Sequence, residues 1–133
     1  MPDLNHLRFS KNERLCKLGL IEMLFREGKA VHHNGFTLVY FFTPLPNPTP
    51  AQILMSVPKK NFKRAHDRNR IKRLLRESWR HRKGALYMKL HQHQMQMALA
   101  LVYKGSAIPA FDVVNAAIDK LLLKLHHQFP AKT

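Results

Sequence analysis

Residues 68–80 read Arg-Asn-Arg-Ile-Lys-Arg-Leu-Leu-Arg-Glu-Ser-Trp-Arg, and this run constrains the fold more than any other stretch. Its apolar members, Ile71, Leu74, Leu75 and Trp79, recur at the spacing of one helix face. At about 100° per residue, Asn69, Arg73, Arg76 and Arg80 fall on the opposite side, with Arg68, Arg70 and Lys72 on the flanks. One face of such a helix needs an apolar surface to pack on. The other must stay wet and charged. On a chain of 133 residues the apolar surface has to come from a single shared core, so one domain over 1–133 is expected.

Solvated helix faces are the ordinary explanation of a charge run, but such faces mix signs. Here Arg68/Lys72, Lys72/Arg76 and Arg76/Arg80 are like-charged i,i+4 pairs, each costing about 0.2–0.5 kcal/mol in an isolated helix. Only Asp67 and Glu77 offset them nearby. Across the chain 23 Lys and Arg stand against 8 Asp and Glu, for a net charge of +15, and twelve of the 23 fall between Lys59 and Lys83. Arginine-rich charge gathered in one place points to a polyanion, because the guanidinium fork matches pairs of phosphate oxygens. A membrane-surface helix would also be basic and amphipathic. It would, however, compete for the apolar face that the core needs, and no membrane partner is expected.

The rest of the chain supplies that core. Residues 1–9 read as a flexible arm. Ser10-Lys11-Asn12-Glu13 has the capping-box pattern and predicts a following helix with Leu15, Leu18, Ile21, Leu24 and Phe25 as its stripe. Gly19 is a possible break in it and Gly28 a stop. Residues 36–43, rich in aromatic and β-branched types, predict a strand ended by the four prolines of residues 44–50. Residues 52–57 predict a second strand, closed by Pro58. A basic connector over 59–66 leads to Asp67, the expected N-cap of the basic helix. Residues 85–94 begin helical, 97–103 are apolar on both alternating faces and read as a buried central strand, and 111–128 predict a last helix. Residues 129–133 are expected to be flexible. The pattern is that of an α/β (α+β) sandwich built on one sheet.

Several chemistries lack their residues. Nine histidines include His32-His33, His91-x-His93 and His126-His127, but a structural zinc site wants four Cys or His ligands and the chain has one cysteine. Surface or RNA-facing histidines fit better, and no metal site is expected. Phosphate-loop, dinucleotide-binding and HExxH motifs are missing, as are nucleophile elbows. A self-sufficient catalyst is not expected, and no protein partner is evident. The lone Cys16, with no signal peptide or apolar span in view, fits a reducing cytoplasm.

Ser56-Val-Pro-Lys-Lys60, followed by Arg68-Asn-Arg-Ile-Lys-Arg-Leu-Leu-Arg-Glu77, resembles the protein subunit of bacterial ribonuclease P. That family carries a strand ending in a Ser-Val-Ser-Lys-Lys-like segment, a short connector and an Arg-Asn-Arg helix. The likeness extends over about residues 8–125, taking in Asn12-Glu13-Arg14, Leu24-Phe25-Arg26-Glu27-Gly28 and the apolar strand near Leu99. Pro58 stands in place of a common serine, and the connector 61–67 is a residue longer.

The resemblance implies a four-stranded sheet with packed helices in α-β-β-β-α-β-α order, and a left-handed crossover at the basic helix, against the usual handedness. It implies that catalysis belongs to a partner RNA, which removes the 5′ leader of precursor tRNA with magnesium bound through the RNA. Carried over by position, Arg64, Arg68, Asn69, Arg70, Lys72, Arg73, Arg76 and Arg80 would face the catalytic RNA. Lys59, Lys60, Phe25, Ile21 (where the family often has phenylalanine) and either Val39 or Tyr40 would line the groove for the leader. A basic groove with aromatic platforms suits single-stranded RNA of variable sequence. A structural RNA-binding protein, such as a ribosomal component, is the alternative that composition alone allows.

Overall fold

The computed structural model describes residues 8–129. In chain order they form a 3-10 turn (Lys11–Glu13), helix α1 (Leu18–Glu27), strands β1 (Lys29–His33), β2 (Phe36–Phe42) and β3 (Ala51–Ser56), helices α2 (Ala65–Arg82) and α3 (Gly84–Gln92), strand β4 (Met97–Tyr103) and helix α4 (Phe111–His126). The strands make one sheet in the order β1-β2-β4-β3. β1–β2 and β2–β4 are antiparallel, while β3 and β4 are parallel neighbours joined through α2 and α3.

Side-chain size divides the sheet's two faces. Every residue of β4 is buried, as expected of a strand apolar on both sides. Met97, Leu99, Leu101 and Tyr103 point to one face, where Phe36, Leu38, Tyr40 and Ile53 join them under α2, α3 and α4. Ala98, Ala100 and Val102 point to the other, where a thinner cluster with Leu15 and Leu24 seats α1. Alanines let that helix come close and leave little volume to fill.

Several elements depart from the sequence expectation. Leu15 is not helical: its N–H donates to the Ile53 carbonyl at 3.0 Å, and Arg14 bridges Ile53 beside β3, so α1 starts only at Leu18. Leu18 therefore projects outward, 67% exposed, and Gly19 lies within the helix instead of breaking it. Gly28 does stop α1, but at φ −74. A Cβ there would lie 2.3 Å from the Leu24 carbonyl oxygen and 2.9 Å from that of Tyr40, so close approach requires the glycine. Asp67 is not the N-cap. Arg64 holds that position without a side-chain bond, and Asp67 sits in the first turn, where its charge complements the helix dipole. Ala65 and His66 extend the helix because nothing after Arg64 interrupts it.

β1, which the residues alone did not locate, pairs with β2 across Asn34 and Gly35, whose φ values of 46 and 81 belong to a tight hairpin turn. The arm and tail are partly held. Phe9 and Phe129 pack against the main core, and the ring of Phe129 lies 5.2 Å from that of Phe42. Residues 1–7 and 130–133 lie outside the described residues.

Candidate nucleic-acid interface

The basic helix is built as its periodicity requires. Ile71, Leu75 and Trp79 are buried, Leu74 is partly buried, and Ser78 joins the buried face. Arg64, Asn69, Arg70, Arg73 and Arg76 are exposed, with Lys72 half-buried. These cations are not equally available. Arg68 donates from Nη1 to the carbonyls of Phe62 and Lys63 at 2.7 and 3.0 Å, stitching the connector to the helix. Arg80 donates to both carboxylate oxygens of Glu77, at 3.1 and 2.6 Å. That bond is the main cause holding the Glu77 carboxyl below its ordinary value, and it raises Arg80 in turn.

The middle of the helix differs. Among the described residues no carboxylate pairs with Arg70, Arg73 or Arg76. Although Arg76 is exposed as a residue, partial loss of hydration at its guanidinium first, and then the charges of Arg14 and Arg73, pull it below the usual arginine value. Arg73 and Arg76 thus repel each other at the centre of the patch, and a bound anion would relieve them.

On the other face Ile21 and Val39 pack against the same thin cluster. Phe25, one helical turn beyond Ile21, is 51% exposed. With Leu18 it continues an apolar stripe along α1 that the core leaves uncovered. The register resolves the choice on β2 by geometry. Val39 lies opposite Ala100 on the α1 face, whereas Tyr40 points into the main core and donates to Gln128 Oε1 at 3.3 Å. Tyr40 is therefore not brought together with Ile21 and Phe25, because successive strand residues face opposite ways. Two residues before Val39, the α1 face carries a row of His32, Thr37, Val102 and Ser56, with His32 Nδ1 3.0 Å from Thr37 Oγ1. The sequence reading missed this row, although the period of two from Val39 to Thr37 pointed to it. Lys59 and Lys60 are exposed just past the end of β3, in a turn tied down by Asn61, whose amide donates to the Lys104 carbonyl at 2.9 Å.

A further missed feature joins the two faces. Lys83, read as one more cation of the run, is only 1% exposed and pairs with Glu13, which is also buried. Tyr87 Oη donates to Glu13 Oε1 at 2.7 Å, and the Ser10 N–H to Oε2 at 2.7 Å; Lys83 also donates to the Arg8 carbonyl. Burial would raise the Glu13 carboxyl, but the bonds from Lys83, Tyr87 and Ser10 outweigh it and hold it lower.

Enclosed chemistry is not what these surfaces offer. A cavity of about 920 Å³ opens between the 3-10 turn, the proline loop and α3, and one of about 290 Å³ lies beside Phe41 and Phe42. The cations of α2 line neither cavity. Among the described residues no three of His, Cys, Asp or Glu stand together as a metal site, and no helix is long and apolar enough to cross a membrane.

The family model for ribonuclease P matches residues 9–126. The chain belongs to the ribonuclease P protein family. It is 34% identical over 122 residues to the ribonuclease P protein component of Porphyromonas gingivalis, covering 92% of this chain and 89% of that one. With the component from Nitrosococcus oceani it shares 41% over 78 residues, 59% of this chain and 63% of the other. The ribonuclease P protein of Thermotoga maritima superposes with a TM-score of 0.64 at 20% identity, over 90% of this chain and 99% of that one. The Staphylococcus aureus protein gives 0.63 at 18%, over 86% and 96%. These two likenesses establish the shared α+β fold. Family membership makes the chain an RNA-binding subunit of an endoribonuclease of tRNA processing.

Proposed function

We propose that the chain is a two-sided adaptor in ribonuclease P. In this reading α2 docks on the catalytic RNA through Arg70, Arg73 and Arg76, flanked by Arg64, Asn69 and Lys72. The opposite sheet face, with Phe25, Ile21, Val39 and the lysines 59 and 60, holds the 5′ leader of precursor tRNA. The observation that carries the reading is the separation of two unlike surfaces by one sheet: on one side Arg70, Arg73 and Arg76, without a carboxylate partner among the described residues, and on the other an exposed apolar stripe with Phe25. Structured RNA is gripped through phosphates and shape, which suits the first surface. A leader of variable sequence is held by stacking, at about 1–3 kcal/mol per base, which suits the second. Bond cleavage and its magnesium ions belong in this reading to the RNA, and the lone Cys16 fits a cytoplasmic complex.

Reconstitution with the catalytic RNA at low magnesium is the direct test. Cleavage of a leader-bearing precursor should rise above the rate of RNA alone, and no gain would sink the proposal. Arg73→Ala should weaken binding to the large RNA for precursor and mature tRNA complexes alike. Phe25→Ala should instead shrink the preference for precursor, by about tenfold if one stacked base is lost. Identical defects from the two changes would refute the division of faces.

A further inference from the structure

Where the N-terminal segment rounds the edge of the sheet, a third arginine meets the basic helix. Arg14 leaves the 3-10 turn with its backbone bridged to Ile53, at the side of β3 away from β4. Its side chain is exposed, and its guanidinium carbon lies 6.0 Å from the centroid of the Phe9 ring. The acid next to it in sequence offers no neutralisation. Glu13 turns inward and is committed to Lys83, Tyr87 and Ser10. Arg14 instead stands beside the end of α2: the Phe9 ring that its guanidinium approaches also has Lys83 Nζ 5.7 Å from its centroid. Arg76 lies two turns before Lys83 on that helix, within range of the Arg14 and Arg73 charges. Among the described residues none of the three has a carboxylate partner.

Gathering like charges from two separate elements costs free energy in the isolated protein. The cost is not an accident of side-chain wandering. A backbone bridge and a buried ion pair hold the base of Arg14 in place, and the packing of Ile71, Leu75 and Trp79 does the same for Arg73 and Arg76. A preorganised group of guanidiniums facing solvent is what one phosphate or two adjacent phosphates of an RNA strand would satisfy.

We propose that Arg14 is a ligand of the catalytic RNA, completing with Arg73 and Arg76 a phosphate-binding cluster at the seam between the basic helix and the N-terminal segment. This rests on the docking role given to α2 above, and it extends that surface beyond the helix. Glu13 is then a positioning residue, which keeps its own charge away from the cluster while fixing its neighbour.

The test is titration of the catalytic RNA with the full chain across a salt series, without any tRNA present. Arg14→Ala should weaken binding about tenfold and make the log–log salt slope shallower by about 0.9, the release of one counterion. Arg14→Lys should restore the slope and only part of the affinity, since a lysine keeps the charge but not the fork. The double change Arg14→Ala with Arg76→Ala should lose less than the sum of the two single changes, because they share a phosphate. An Arg14→Ala protein with unaltered melting temperature, affinity and slope would overturn the proposal, as would strict additivity with Arg76→Ala. A defect confined to leader preference in the reconstituted enzyme would overturn it too. If Arg73→Ala also left binding unchanged, the docking role of α2 would itself be wrong, and the cluster would fall with it.

Discussion

Glu13→Gln should be among the most costly single changes that conserve side-chain volume. The carboxylate accepts hydrogen bonds from Lys83 Nζ, from Tyr87 Oη at 2.7 Å, and from the N–H and Oγ of Ser10 at 2.7 and 3.0 Å. Glutamine removes the charge and turns one acceptor into a donor, facing groups that are donors already. The ammonium of Lys83, 1% exposed, then lacks its counterion. Removing one partner of a buried pair costs about 3–5 kcal/mol, since the remaining charge is uncompensated. Lys83 keeps the Arg8 carbonyl and lies 5.7 and 5.1 Å from the Phe9 and Tyr87 rings, which places the expectation near the lower end, about 3 kcal/mol. At about 3–4 °C per kcal/mol for a domain of this size, the melting temperature should fall by about 10 °C.

Urea titration at neutral pH measures the change, and a cycle with Lys83→Met isolates the pair. Each single variant strands a buried partner, so the double variant should cost at least about 2 kcal/mol less than the sum. Acid provides an independent check. The Glu13 carboxyl is held below its ordinary 4.5 in the folded chain. A carboxyl depressed on folding contributes stability that is present above the unfolded value and lost as pH falls through the folded one. The gap between wild type and Glu13→Gln should therefore narrow below about pH 4.5. A cost under about 1 kcal/mol, or an additive cycle, would refute a buried, paired Glu13.

Gly28→Ala should destabilise by about 1–3 kcal/mol or more in the same titration, because the new methyl meets the backbone oxygens of Leu24 and Tyr40, which cannot swing away. Tyr40→Phe should cost about 0.5–1.5 kcal/mol through the lost bond to Gln128, with precursor preference in the reconstituted enzyme unchanged because the ring faces the core. A change in that preference would put Tyr40 back in the groove.

What the amino-acid order made legible follows from how local each signal was. Met97–Tyr103 was readable end to end because a strand buried on both sides is apolar at every position. The basic helix was readable because a charged face and an apolar face share one 3.6-residue period. β1 was not, since Lys-Ala-Val-His-His at a sheet edge has only Val31 packed on the main core, and Asn34-Gly35 was its one clear marker. Leu15 obeys the helical period of α1, yet Ile53 takes its N–H, so a tertiary partner overrode the pattern. Lys83 is indistinguishable in sequence from Arg80 or Arg82, and only the fold brings Glu13 to it across 70 residues. Val39 and Tyr40 differ by a single register step, which no composition can resolve.

Under the function proposed above, the same division would let so small a chain serve two RNAs without confusing them. Ala98 and Ala100 seat α1 close to the sheet, while Leu99 and Leu101 carry the three helices of the other face, so the surfaces are separated by a full layer of backbone. Substitutions on the outer side of one face should therefore leave the other intact, as Arg73→Ala and Phe25→Ala are expected to do. The segment from Glu13 to Lys17 is the exception. It leaves the buried pair with Lys83 at the end of α2, passes along β3 through Arg14 and Leu15, and becomes the N-cap of α1. Loosening it shifts α1 relative to α2, so Glu13→Gln should lower both catalytic-RNA affinity and precursor preference even where the protein remains folded. A variant that lowers both from a site lining neither surface is the behaviour that a rigid connection between the two faces requires.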